Sequence, residues 1–125
     1  MVVGYVTSDL SNHPVGRCLA ALMQHHRLER FLIHVYSTAK HEDNSVMQRV
    51  KRAAHTLVEV EQQQTQKTAD RIAAARVHIL VDLNGYTKHE RSDIFSLKPG
   101  MYMAKTDNKS HLKMPRGLTV VCHRV

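Results

Sequence analysis

The chain has 125 residues and a formal net charge of +7, with 18 lysines and arginines against 11 aspartates and glutamates. This length allows one domain at most, and no apolar run approaches the roughly 20 residues that span a bilayer, which excludes a helical membrane protein. Aromatic residues make up 5% of the chain and tryptophan is absent, so the sequence predicts an aliphatic core.

The excess positive charge is concentrated at the end of the chain. Residues 100–125 contain five basic residues and one acidic residue, whereas residues 1–99 contain 13 basic and 10 acidic residues. The tail shows no alternation of aromatic and basic residues and no known nucleic-acid motif. We therefore expect a solvated or disordered basic tail and no specific nucleic-acid partner.

The first half of the chain alternates strand-like and helix-like patterns. Apolar runs predict strands over residues 2–7 and 31–37. Between them, residues 16–26 are predicted to form an amphipathic helix, with an apolar stripe of Val15, Cys18, Leu19, Leu22 and Met23. A second helix is predicted from the stripe Val46, Met47, Val50, Ala53 and Ala54, with Asn44 or Ser45 as its N-cap.

The second half continues the alternation. A weaker strand is predicted over residues 56–60, and the polar residues 61–67 open a third helix with a predicted buried side of Ala69, Ile72 and Ala73. A strand over residues 79–83 and a short helix over residues 90–97 follow. Strands that alternate with helices pair in parallel through right-handed crossovers. The predicted fold class is therefore α/β, a Rossmann-like three-layer lobe with a mostly parallel sheet.

Polar loops follow two of the predicted strands. Residues 8–14 contain Asp9, Asn12 and His13, and residues 77–88 lead from an apolar run into an Asn-Gly turn with hydroxyl side chains. Open parallel sheets bind ligands beyond the carboxyl ends of their strands, which makes both loops candidate sites. The alternative is structural: a loop residue caps the next helix, and His13 is a surface histidine next to a rigid proline.

Other motifs narrow the function further. No G-x-G-x-x-G follows the first strand and no P-loop is present, which argues against a dinucleotide-binding or P-loop enzyme. The ten histidines lack metal-ligand spacing, so we expect no metal site. Cys18 and Cys122 lie far apart and no leading apolar segment resembles a signal peptide, which favours a reducing, cytoplasmic or nuclear location.

Four ordered sequence words give the chain a family resemblance. They are G-Y-V-T-S-D-L-S-N-H-P at residues 4–14, A-D-R-I at 69–72, H-I-L-V-D-L-N-G-Y-T-K at 78–88 and I-F-S-L-K-P at 94–99. Together they resemble the N-terminal catalytic lobe of the O-linked N-acetylglucosamine (GlcNAc) transferases. These two-lobed, GT-B-type enzymes move GlcNAc from UDP-GlcNAc to serine or threonine of intracellular proteins.

The resemblance implies roles for particular residues. His13 matches the active-site histidine of the His-Pro loop, which lies near the sugar donor and the incoming hydroxyl and is proposed as a general base. The implied substrate-binding residues are Asn12, Pro14, Asn84, Gly85, Tyr86 and Thr87. UDP-GlcNAc is implied as donor substrate and protein serines or threonines as acceptors, with no cofactor and no membrane partner.

Structural alternatives stay open for several of these positions. An Asn-Gly turn without a ligand is the alternative at residues 84–87. His78 matches the family at the strand end away from the crevice, where a structural role is favoured. Asp70 also matches, and the alternative there is a solvent-facing helix carboxylate.

The chain departs from the family after residue 99. Residues 100–125 contain none of the family's next words, so we expect a partial catalytic lobe over residues 1–99 and a divergent, poorly ordered basic tail over residues 100–125. The nucleotide-binding second lobe has no counterpart in these 125 residues, and the resemblance therefore implies no transfer by the chain alone. The alternatives are a non-catalytic protein-interaction module and assembly in trans with a second-lobe partner.

Overall fold

The structure is a computed structural model that describes residues 1–84, 91–106 and 112–113. Its strands are β1 Val2–Thr7, β2 Leu32–Ser37, β3 Thr56–Glu59, β4 Ile79–Asp82, β5 Tyr102–Thr106 and β6 Leu112–Lys113. Its helices are α1 Pro14–His25, α2 Ser45–Ala53, α3 Thr65–Ala74 and α4 Ser92–Ser96. None of these helices combines the length and apolar character needed to cross a bilayer.

The described strands form one sheet in the order β3-β2-β1-β4-β5-β6. The first five strands are parallel and β6 is antiparallel to β5. Val3 in β1 pairs with Ile33 in β2 on one side and with Ile79 in β4 on the other. The predicted Rossmann-like α/β fold with a mostly parallel sheet is confirmed.

Two apolar clusters cover opposite faces of the sheet. Successive residues of a strand point to opposite faces, and β1 accordingly places Val3 and Tyr5 in the cluster with α1 and α2, and Val6 in the cluster with α3 and α4. Both clusters are mainly aliphatic, as the composition predicts. The three layers leave the carboxyl ends of the strands free to carry the connecting loops.

Most predicted elements are confirmed. β1 has the predicted bounds, and Asn44 caps α2 by accepting a hydrogen bond from the Met47 backbone N–H at 2.9 Å. Helix α1 begins earlier than predicted, at Pro14, because a proline at the first helical position gives up no helical hydrogen bond. The predicted start of the last helix, Glu90, lies outside the described residues.

Two sequence expectations were wrong, and one strand was not predicted. Cys18 is exposed although it falls in the apolar stripe of α1, since α1 packs on the sheet through Leu19, Ala20 and Met23. Ala73 is also exposed, because α3 turns Thr68 toward the core together with Ala69 and Ile72. No strand was predicted beyond residue 97, yet β5 pairs with β4, and Ala104 is buried.

Candidate active site

The sheet order places the two polar loops side by side. The chain runs from β1 through β2 to β3 on one side, then returns to place β4 on the other side of β1. Strand order therefore reverses between β1 and β4, and ligands of open α/β sheets bind at this reversal, beyond the carboxyl ends. The loop after β1 and the loop after β4 both start there, which brings the candidate residues of two distant sequence segments together.

His13 stands at the end of the first loop and begins α1. It occupies the N-cap position without a side-chain capping bond, and Pro14 follows as the first helical residue. Its imidazole is 56% exposed, and Nδ1 lies 3.5 Å from an oxygen of the Asp9 carboxylate. The ring is thus accessible to a ligand, with an acidic group beside one of its two nitrogens. Asn12 and Pro14 flank it and are exposed.

Buried polar side chains surround the start of this loop. They lie at the carboxyl ends of β1, β2 and β4 and comprise Thr7, Ser8, Ser37, Thr38, Asp82 and Asn84. A buried polar group is costly unless it is hydrogen-bonded, and every buried side-chain nitrogen or oxygen in the described residues has a partner. The carboxyl edge of the sheet therefore carries a group of buried, hydrogen-bonded polar side chains.

Asn84 connects the two candidate loops. Its Oδ1 accepts a hydrogen bond from the Ser8 backbone N–H at 2.5 Å, and its Nδ2 donates to Thr38 Oγ1 at 3.2 Å. Its own backbone N–H donates to the Asp82 carboxylate at 3.0 Å. Only 3% of the residue is exposed. The side chain thus ties β1, β2 and β4 together at the reversal point.

A second pair of side chains reaches the loop from the segment between β2 and α2. His41 Nε2 lies 2.6 Å from the carbonyl oxygen of Ser8. Asn44 Nδ2 donates to the carbonyl oxygen of Leu10 at 2.8 Å. The sequence pattern predicts Asn44 only as a helix cap and carries no signal for His41. Both contacts join residues more than 30 positions apart, which no local pattern predicts.

Gly16 gives the loop room to pack on the first turn of α1. A Cβ atom at this position would lie 2.3 Å from the carbonyl oxygen of Ser11 and 2.7 Å from that of Asp9. These distances are far below van der Waals contact, so only glycine fits without moving the backbone. The path of residues 9–13 depends on this missing side chain.

The remaining predicted residues fall in three places. Gly85, Tyr86 and Thr87 lie outside the described residues. His78 is at the opposite end of the sheet, where its Nδ1 accepts a hydrogen bond from the Val2 backbone N–H at 3.0 Å, which agrees with the favoured structural role. Asp70 is exposed on α3 and accepts a hydrogen bond from Gln66 at 2.8 Å. Within the described residues, no cluster of three or more histidine, cysteine or acidic residues could hold a metal ion.

Comparison with known proteins gives consistent matches to one group. The sequence profile of glycosyl transferase family 41 matches residues 1–104. A probable UDP-N-acetylglucosamine–peptide N-acetylglucosaminyltransferase SEC of Arabidopsis thaliana is 30% identical over 97 residues, which is 78% of this chain and 10% of that protein. The UDP-N-acetylglucosamine–peptide N-acetylglucosaminyltransferase of Caenorhabditis elegans is 31% identical over 98 residues, which is 78% of this chain and 8% of that protein.

The fold comparison agrees. The structure of an O-GlcNAc transferase mutant of Thermobaculum terrenum superposes with a TM-score of 0.79 at 22% identity, covering 84% of this chain and 20% of that one. At this identity the match shows the fold. The chain spans about a tenth of the length of the curated relatives.

Proposed function

The chain belongs to glycosyl transferase family 41, and from this premise we propose that it supplies one half of a crevice that transfers GlcNAc from UDP-GlcNAc to serine or threonine of proteins. In the transfer, the acceptor hydroxyl oxygen forms a bond to the anomeric carbon of the sugar. The bond from that carbon to the diphosphate breaks, and UDP leaves with the electron pair. The hydroxyl proton needs an acceptor, which we assign to His13.

The geometry around His13 supports this assignment. A general base must lie within hydrogen-bond reach of the proton that it accepts, so it must be open to the crevice, and the His13 ring is half-exposed. The Asp9 carboxylate lies next to Nδ1, so a neutral His13 ring with its proton on that nitrogen presents the Nε2 lone pair to the acceptor hydroxyl. This contact is the single observation that carries the proposal.

Other residues take different roles in the proposal. Asn12 and Pro14 flank His13 in the chain and are exposed, and we assign them to the acceptor. Asn84 has both amide atoms engaged within the protein, so we assign it to holding the two loops against each other. Gly85, Tyr86 and Thr87 follow directly in sequence and are proposed to bind the sugar of the donor.

We further propose that these 125 residues alone do not catalyse transfer. A lobe that holds the acceptor without the diphosphate loses the orientation and charge stabilisation on which most of the rate depends.

The exposed Cys18 thiol suits a reducing compartment, the cytoplasm or the nucleus.

A chimera tests the transfer function. Residues 2–99 of this chain replace the aligned segment of the C. elegans transferase, and transfer of labelled GlcNAc to an acceptor peptide is measured. We expect an active chimera that His13→Ala slows by roughly 10²- to 10⁴-fold, and no transfer by the 125-residue chain. A folded but inactive chimera would exclude the transfer function and favour a non-catalytic interaction module. Full activity in His13→Ala would exclude His13 as the base.

A further inference from the structure

The segment between β2 and α2 holds the loop that carries His13. Both backbone polar groups of Ser8 are engaged. Its N–H donates a hydrogen bond to Asn84, and its carbonyl oxygen contacts His41 Nε2. Two residues later, the carbonyl oxygen of Leu10 accepts from Asn44. His13 follows three residues after Leu10, so these contacts set the start of its path.

One nitrogen of His41 faces two backbone groups that require opposite roles. Nε2 lies 2.6 Å from the Ser8 carbonyl oxygen and 3.3 Å from the Leu10 backbone nitrogen. A single ring nitrogen cannot donate to the first and accept from the second at once. The shorter contact is only compatible with a proton on Nε2, because a lone pair there would face the carbonyl lone pairs. Both the neutral Nε2–H ring and the protonated ring can make this donation.

We propose that His41 is a positioning residue for His13, acting through the Ser8 carbonyl. Its catalytic meaning rests on the proposed function of His13, whereas the placement itself is independent of it. His41 belongs to neither apolar cluster, and its polar contacts in the structure are with this loop. Its loss should therefore disturb residues 9–13 more than the sheet.

The test uses the complete 125-residue chain and three variants. His41→Ala removes the donor, and His41→Gln restores it, because the glutamine amide nitrogen can occupy the place of Nε2. Glu42→Ala is the matched control, an exposed side chain in the same segment. Amide hydrogen exchange is measured for Asp9, Leu10 and His13 and for the strands β1 and β4, together with the nitrogen chemical shifts of the His13 ring.

We expect His41→Ala to accelerate exchange in residues 9–13 at least tenfold and to shift the His13 ring signals, with little change in β1 and β4. His41→Gln should return both readouts toward the original values, and Glu42→Ala should change neither. Uniform acceleration across the sheet, unchanged exchange in the loop, or failure of glutamine to rescue would each overturn the proposal.

A measurement on the unaltered chain keeps the proposal testable if His41→Ala does not fold. The nitrogen shifts of the His41 ring report which nitrogen carries the proton, and we expect Nε2. A neutral ring protonated on Nδ1 would overturn the proposal. None of these readouts involves UDP-GlcNAc or an acceptor, so an inactive chimera would count against the proposed function and leave the placement of His41 standing.

Discussion

The Asp9 carboxylate lies 3.5 Å from Nδ1 of His13, although residues 9–13 do not form a helical turn. The loop bends so that the two side chains meet, while its backbone is held at Ser8 and Leu10. A partly exposed pair of this kind contributes about 1 kcal/mol or less to stability. In the proposed transfer, the contact matters because it determines which nitrogen of His13 faces the acceptor hydroxyl.

Replacing Asp9 should impair transfer more than folding. In an active chimera we expect Asp9→Ala to lower kcat roughly tenfold to a hundredfold with little change in KM, because His13 loses the group that favours a proton on Nδ1. Asp9→Asn retains an oxygen acceptor, so its kcat should lie between those of Asp9→Ala and the parent. The control is Asp43→Asn, an exposed aspartate that contacts Lys51 at 3.7 Å and should leave kcat unchanged. Equal kcat in Asp9→Ala and the parent would contradict the role of Asp9.

The sequence predicted the elements whose signals are local. The β-branched run of β1 and the capping asparagine of α2 each carry their signal in a few consecutive residues. The buried face of α3 was misjudged because alanine fits either side of a helix, so Ala73 carried no directional information. Strand β5 depends on pairing with β4, a tertiary contact that overrides the weak local pattern.

The candidate site shows the same limit. His13 could be found from its loop because it follows a strong strand and precedes a proline. His41 could not, since its contact with Ser8 spans 33 residues and arises only when β2 pairs with β1. Asn84 was identified as a ligand-binding candidate, whereas the structure gives both of its amide atoms partners within the protein.

Gly16→Ala should destabilise the chain, although alanine is a better helix former than glycine. Alanine is favoured over glycine within a helix by about 1 kcal/mol, but its Cβ would lie 2.3 Å from the Ser11 carbonyl oxygen. Backbone must move, and overpacking of this kind costs about 1–3 kcal/mol. Urea unfolding measures the difference. Ala21→Gly, at an exposed position of the same helix, is the control for propensity, with an expected loss of about 1 kcal/mol. A more stable Gly16→Ala would contradict the close approach.

Asn84→Ala and Asn12→Ala should separate a structural from a ligand-facing asparagine. Removing the Asn84 amide leaves the buried Ser8 N–H and the Thr38 hydroxyl without this partner, and we expect a loss of about 2 kcal/mol or more in the free energy of unfolding. Asn12 is exposed, so Asn12→Ala should change stability by less than about 0.5 kcal/mol while raising KM for the acceptor in the chimera. Equal unfolding midpoints for the two variants would refute the assignment of Asn84.

His78 offers a test at the opposite end of the sheet. Its Nδ1 accepts from the Val2 backbone N–H, and His55 Nδ1 accepts in the same way from the Ile33 backbone N–H, each at 3.0 Å. We expect His78→Ala to cost about 1 kcal/mol, and His78→Asn to recover most of it, because Oδ1 of asparagine can replace Nδ1. Neither change should affect kcat of an active chimera. Asparagine performing no better than alanine in urea unfolding would rule out the acceptor role.

Stability should fall as the pH drops below about 6.5. Burial lowers the pKa of His26 from 6.5. The pKa of His34 is lowered mainly by burial and to a lesser extent by repulsion from His55. The unfolded chain therefore takes up these protons at a higher pH than the folded chain. The contribution of these two histidines to the free energy of unfolding is fully present above their pKa in the unfolded chain. It decreases as the pH falls from there toward their pKa values in the folded chain.

The pH dependence can be traced to His26 by substitution. Its Nε2 lies 2.7 Å from the Tyr5 hydroxyl, a contact that glutamine can replace without titrating. We expect His26→Gln to flatten the loss of stability between about pH 7 and about pH 5 in urea unfolding, whereas His25→Gln, at the exposed neighbouring position, should leave the slope unchanged. Asp93 does not interfere in this window. Burial alone would raise its pKa, but hydrogen bonds from Thr65 and Arg91 outweigh burial and lower it from 3.8, so its contribution is lost only at more acidic pH. An identical slope in His26→Gln and the parent chain would assign the acid sensitivity to other histidines.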